Sequence, residues 1–189
     1  MREDHAPTTP QVSTEEGLVR EAQQGNSDAF AQLYEEHLDR IYRYMVLRVG
    51  NKTEAEDLTE QVFLKALESI GKYRLRGAPF ASWLFKIAHN LVVDYFRRAS
   101  RMQTTSITEA IPSTGKEVWE QIELKLKFDA VTAAIKRLTE AQQQVISLRF
   151  AGGLSSAEVA TVMGRSEGAV KALQHSALVA LKRSLAGSA

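Results

Sequence analysis

Residues 156–176 read SAEVATVMGRSEGAVKALQHS, and this stretch decides the fold. A helix-turn-helix needs a small residue in its first helix where the second crosses closely, and Ala160 stands there. Four residues on, Gly164 accepts the left-handed turn at no steric cost. Six further on, Val170 supplies the aliphatic side chain that packs into the junction. Val159, Met163 and Leu173 complete the apolar set. An ordinary helical hairpin is the alternative reading of the same spacing. In a helix-turn-helix the second helix lies in the major groove of DNA. Ser166 caps it, and its exposed positions include Arg165, Glu167, Lys171, Gln174, His175 and Ser176. Gln174 carries the amide that pairs with adenine edges, and Lys171 reaches guanine or phosphate. His175 is a phosphate contact or a surface residue. One such domain in a monomer makes a small contact, so tight specific binding needs a second site.

Working outward, the periodicity stays helical. A first helix covers residues 15–24 and stops at Gly25. Ser27 caps a second, in which Phe30, Leu33, Tyr34, Leu38, Ile41, Tyr42, Met45 and Leu47 recur at three- and four-residue steps. Gly50 and Asn51 end it. Thr53 and Glu56 form a capping box that starts a third helix, with Leu58, Val62, Phe63, Ala66, Leu67 and Ile70 as its apolar stripe. A basic loop, GKYRLRG at residues 71–77, leads to Pro79 and a fourth helix running to about Met102. Residues 103–116, QTTSITEAIPSTGK, lack an apolar face and read as a flexible linker. A fifth helix spans 117–137. Thr139 with Gln142 boxes a sixth, to Phe150, and Gly152 and Gly153 end it. Ser155 with Glu158 boxes the first helix of the helix-turn-helix, and the last helix runs to about Leu185. No segment alternates with period two. The fold class is all-α, two small helical domains over residues 15–102 and 117–186.

Composition narrows the function. Of 189 residues, 44% are hydrophobic and 25% charged, which describes a globular chain. The absence of cysteine excludes disulfides, thiolate metal sites and cysteine nucleophiles. The four histidines have no zinc-like spacing, so no metal is expected. There is no phosphate-cradling glycine loop and no nucleophile elbow, and no catalytic residue or cofactor is expected. Residues 1–13 are polar, unlike a signal peptide, and no apolar run is long enough for membrane insertion.

The net charge of +1 conceals sorted charge. Residues 54–68 hold five acids against one Lys, whereas residues 72–101 hold seven basic residues against Asp94 alone. Residues 128–189 hold seven basic residues against four acids. Basic patches suit phosphate backbones, and an acidic helix suits a basic protein surface. Solvated helix faces are the alternative. On the fourth helix Phe80, Leu84, Ile87, Ala88, Leu91 and Tyr95 share one face, and Lys86, Asn90, Val93 and Arg97 the opposite one. The latter, with the basic loop before it, forms a reasonable DNA surface. Trp83, at the edge of the stripe, reads as structural rather than as a stacking platform.

Three segments in this order resemble the bacterial sigma-70 family, in its small extracytoplasmic-function (ECF) branch with regions two and four only. They are AEDLTEQVFLKALESI, APFASWLFKIAHNLVVDYFRR and LSSAEVATVMGRSEGAVKALQHSALVALKR. The resemblance covers roughly residues 15–185. It implies a transcription initiation factor, not an enzyme, in the bacterial cytoplasm. Its implied partners are core RNA polymerase, promoter DNA and an anti-sigma factor, with no small-molecule substrate. Region two would bind the polymerase clamp helices and melt and read the −10 element. Region four would bind the polymerase flap and read the −35 element.

Carried over by position, Glu56, Asp57, Leu58, Glu60, Gln61 and Phe63 fall in the polymerase-binding helix. The family often has Gln then Glu where this chain has Glu60 then Gln61. Lys72, Arg74, Arg76, Lys86, His89, Asn90 and Arg97 fall in the −10 region, His89 standing where Arg is common. Arg98 is a candidate brace for the domain. Arg165, Ser166, Glu167, Lys171, Gln174 and His175 fall in the −35 region. Ser176 stands where the family usually has Arg, which removes a phosphate contact. An anti-sigma factor would clamp the two domains together across a mobile linker. Two other classes compete. A stand-alone helix-turn-helix regulator needs a pocket or symmetric interface in residues 15–102, and a hydrolase or nuclease needs clustered acids or histidines facing a cleft.

Overall fold

The computed structural model describes residues 14–74, 78–102 and 131–186. Among them all regular structure is helical. The proposed linker at 103–116 and the first part of the predicted fifth helix lie outside the described residues, as does Arg76.

Helix α1 (Glu15–Gln23) is capped by Thr14, whose hydroxyl accepts from Gly17 N–H. Helix α2 (Ser27–Val49) is capped by Asn26 rather than Ser27. The Asn26 carboxamide accepts from two backbone N–H groups, of Asp28 and Ala29, leaving Ser27 inside the first turn. The left-handed Gly50 ends α2. Helix α3 (Lys52–Ser69) starts two residues earlier than the Thr53–Glu56 box predicts, because Asn51 is the cap and accepts from Glu54 N–H at 3.0 Å. A short 3₁₀ turn, Ile70–Lys72, follows, and then α4 (Phe80–Met102).

In the carboxy-terminal half, α5 is described over residues 131–136. Helix α6 (Glu140–Ile146) opens on the predicted Thr139–Gln142 capping box. It continues as a π-helical turn, Ser147–Ala151, closed by Gly152 N–H on the Ser147 carbonyl at 2.9 Å. Helix α7 (Ser156–Met163) has the predicted Ser155–Glu158 box. Gly164 ends it at φ 62°, and α8 (Glu167–Ala186) follows.

The two halves share one core. Helix α2 of the first packs against the π turn of the second and α4 against α7, and side chains of α2 and α4 bond to Glu140 and Gln144 of α6. Phe85 and Val92 are fully buried in the core that also holds Leu148, Leu154 and Val162, although the sequence pattern assigns α4 a single apolar stripe that omits both. They form a second buried face, and burying such side chains stabilises by about 1.5–3 kcal/mol each. Phe85 meets Tyr44 edge-on, with ring centroids 5.6 Å apart. Its ring also lies under Gly152, where a Cβ would come within 2.8 Å of both Phe85 Cε1 and the Leu148 carbonyl oxygen. Gly152 is therefore needed for close approach. Leu67, expected in the α3 stripe, is instead exposed. The stripe closes through Ala66 and Ile70.

Candidate polymerase and nucleic-acid interfaces

Helix α3 presents Glu56, Asp57, Glu60 and Gln61 to solvent. Leu58 and Phe63 are buried, and Phe63 packs edge-on against Tyr34 at 4.6 Å. Of the six residues assigned to this surface, four are thus accessible and two anchor the helix. Leu64 and Leu67 are 57% and 52% exposed. With Glu60 they form an i, i+4, i+7 stripe, an apolar surface beside the acids. Charge reading missed it, because it asked only where the acids fall.

The loop and α4 form the second surface. Gln23 donates its amide to the Ile70 and Tyr73 carbonyls at 2.9 and 2.7 Å, tying the loop to α1. The Tyr73 hydroxyl donates to the Ala78 carbonyl, and its ring packs on Trp83 at 5.0 Å and Phe80 at 5.8 Å. Burial raises the Tyr73 phenol pKa, so the ring stays neutral. Lys72, Arg74, Lys86, Trp83 and Ser82 line a cavity of about 420 Å³, with Thr161 of α7 on its far wall. The Ser82 hydroxyl is buried there without a hydrogen-bond partner. Cations around an aromatic wall suit a base and its phosphate. Asn90 and Arg97 are exposed, and Arg97 pairs with Asp94 at 2.9 Å.

Two members of this set also bond to the carboxy-terminal half. Lys86 Nζ donates to the Val162 carbonyl at 2.9 Å. His89 is half-buried, with the Gln144 amide nitrogen 3.0 Å from Nδ1. Burial, then the positive charges of Arg48 and Lys86, lowers the His89 pKa, so the ring is neutral near pH 7. Arg98 Nε donates to the Asp94 carbonyl on its own helix.

The third surface is the helix-turn-helix. Val159 and Val170 are fully buried at its junction, and Arg165 N–H reaches the Ala160 carbonyl at 3.0 Å through the turn. The Ser166 hydroxyl accepts from Ala169 N–H at 3.2 Å, as an N-cap should. Arg165, Glu167, Lys171 and His175 are exposed, and Lys171 pairs with Glu167 at 2.7 Å. Gln174 is only half-exposed, and its carbonyl accepts from Arg149 Nε at 3.1 Å. The Ser176 hydroxyl faces Gln142, 2.9 Å away. The turn thus presents Arg165 outward, and α8 presents Lys171 and His175 outward while Gln174 and Ser176 bond to Arg149 of the π turn and Gln142 of α6.

Two family models match the chain in this order: Sigma-70 region 2 over residues 33–102 and Sigma-70 region 4 over residues 134–183. The ECF RNA polymerase sigma factor SigD of Mycobacterium tuberculosis is 30% identical over 174 residues, spanning 88% of this chain and 82% of that protein. The chain belongs to the sigma-70 family of RNA polymerase sigma factors, in its ECF branch. The ECF sigma factor BldN of Streptomyces coelicolor is 43% identical over 174 residues, spanning 89% of this chain and 64% of BldN. Among solved structures, CnrH in complex with the cytosolic domain of CnrY superposes with a TM-score of 0.66 at 25% identity. That match covers 91% of this chain and 97% of that one. In this sigma factor, region 2 takes in α2, α3 and α4, and region 4 takes in α6 to α8.

Proposed function

We propose that this sigma factor binds core RNA polymerase through the exposed face of α3 and directs it to promoters through two DNA surfaces. Region 2, within residues 15–102, reads and melts the −10 element with the loop at Lys72 and Arg74 and the face of α4 bearing Lys86, Asn90 and Arg97. Region 4, within residues 117–186, reads the −35 element with α8 and binds the polymerase flap. Residues 103–116 join them. The observation that carries this reading is the fixed order of an acidic helix, a basic helix with an aromatic-walled cavity, and a capped helix-turn-helix within one sigma-70 chain. The sigma factor performs no catalysis of its own, since the polymerase supplies the chemistry, and it acts in the bacterial cytoplasm. No described helix is long and apolar enough to cross a membrane.

An anti-sigma factor is its regulator. CnrH, its structural relative, is solved with the cytosolic domain of CnrY, and that match supports the reading. Co-elution with purified core polymerase tests the first step. The expected result is a stable complex with wild type and a weakened one after Glu56→Lys, Asp57→Lys and Glu60→Lys together. A complex unaffected by the triple reversal overturns the assignment to α3.

A further inference from the structure

We propose that the cavity between α2 and α5 is a binding site for a small amphipathic carboxylate, one apolar chain carrying one anionic head. The cavity measures about 670 Å³ and is walled by α2, the first residue of α3, α5 and the π turn. Small-molecule sites span roughly 300–1,000 Å³ and are mostly apolar with a few placed polar groups. This cavity shares no lining residue with the three surfaces described above. Its middle is apolar. Tyr42, Val46 and Leu47 lie half-buried along one side of α2, and Phe150 stands 60% exposed on the wall formed by the π turn. An alkyl chain laid in this gap would bury apolar surface on both walls.

The ends of the cavity are cationic. Arg43, Lys52 and Lys136 line it, and among the described residues no carboxylate does. A Cβ placed on Gly50 would meet Lys136 Cε and Nζ at 3.3 Å, so the Lys136 ammonium lies over the end of α2. The carbonyl end of that helix favours a cation there. Lys52 follows Gly50 by two residues, so two cations gather at one end of the cavity. Arg43 stands seven residues before Gly50, about 10 Å back along the axis of α2. Lys52 has Glu56 at 3.9 Å, a contact between exposed side chains that is worth little. Arg43 Nε donates to the Asp39 backbone carbonyl, and neither Arg43 nor Lys136 pairs with a carboxylate among the described residues. The pair of lysines therefore takes the anionic head, and the chain runs along Leu47 and Val46 toward Arg43.

Calorimetric titration of the full-length chain with decanoate, kept below its micellar concentration, tests the site. One saturable site per chain is expected, with an affinity that falls as salt rises. Decanoate should also raise the melting temperature, because it binds the folded chain and not the unfolded one. Decanol, which lacks the charge, and butyrate, which lacks the long tail, should both bind more weakly. Lys52→Gln with Lys136→Gln removes two exposed charges and should weaken decanoate binding roughly five-fold. Ala133→Trp, at an exposed position on the α5 wall, should fill the cavity and abolish binding. Circular dichroism without ligand shows whether that variant folds, and if it does not, the double Gln variant decides alone. The proposal is overturned if decanoate does not saturate one site, if decanol or butyrate binds as tightly as decanoate, or if the double Gln variant binds as wild type does. Retained binding by a folded Ala133→Trp variant overturns it as well. Binding to anionic phospholipid vesicles but not to free decanoate also overturns it, and would make the patch a membrane-facing surface instead.

Discussion

Arg48 and Glu140 form an ion pair across the seam between α2 and α6, with the Arg48 side chain fully buried and the Glu140 side chain 65% exposed. The asymmetry sets the energetics. A buried cation needs its partner, whereas an exposed carboxylate gives up little hydration. Glu140→Ala is expected to destabilise by about 2 kcal/mol, below the roughly 3–5 kcal/mol of breaking a fully buried pair. Arg48→Met in the same background should recover part of that loss, because no charge is then stranded. Urea unfolding of the single and double variants measures both. A double variant less stable than the single one contradicts this account of the pair.

Acid should loosen the same seam. The His89 pKa is lowered by burial and by Arg48 and Lys86, against a smaller raising effect from Glu140. A base with a lowered pKa in the folded chain binds fewer protons there than when unfolded. Its contribution to stability is complete above the unfolded value near 6.5 and is lost as pH falls through that value toward the folded one. The denaturation midpoint of wild type should therefore fall between pH 7.5 and 5.5 more steeply than that of His89→Gln. Parallel profiles contradict the assignment.

Gly152→Ala tests the close packing of the π turn on α4. The added Cβ meets a ring carbon and a backbone oxygen at 2.8 Å, and the carbonyl cannot swing aside. A loss of about 1–3 kcal/mol is expected by urea unfolding, as for other overpacked sites. A neutral substitution would mean that the seam is looser than described.

How much of this was legible in the sequence follows from which forces are local. Gly164, the Ser155–Glu158 box and the Thr139–Gln142 box lie where the pattern puts them, since a cap is decided within four residues. The caps of α2 and α3 were displaced because Asn26 and Asn51 each precede the residue that the pattern favours and reach the free N–H groups first. Phe85 and Val92 were illegible as core, because a helix covered on two sides has no single stripe to read. Gln174 looked like a free amide, and its engagement depends on Arg149, 25 residues away.

On α3 the accessible and the buried apolar residues should separate cleanly. Leu64→Ser with Leu67→Ser is expected to weaken polymerase binding with little loss of stability, since both side chains are already exposed. Leu58→Ala, by contrast, should cost about 2–5 kcal/mol of stability through the cavity it leaves. Thermal unfolding and a polymerase titration on each variant give the comparison. Polymerase affinity unchanged in the double variant contradicts the apolar stripe as a docking surface.

On α8, Lys171→Ala should weaken DNA binding evenly across sequences and lower the salt slope by about one if Lys171 meets phosphate. Gln174→Ala should change base preference and also release Arg149. Selecting −35 sequences with each variant at two salt concentrations distinguishes the two effects. Identical selections at identical affinity would move the reading surface off α8.

Run-off transcription with purified core polymerase on a random promoter library tests the central claim most directly. With this sigma factor added, transcripts should start from a defined subset of templates that share a −10 and a −35 element at fixed spacing, and core polymerase alone should select none. Transcripts that arise equally with and without the chain, or from templates sharing no element, contradict it.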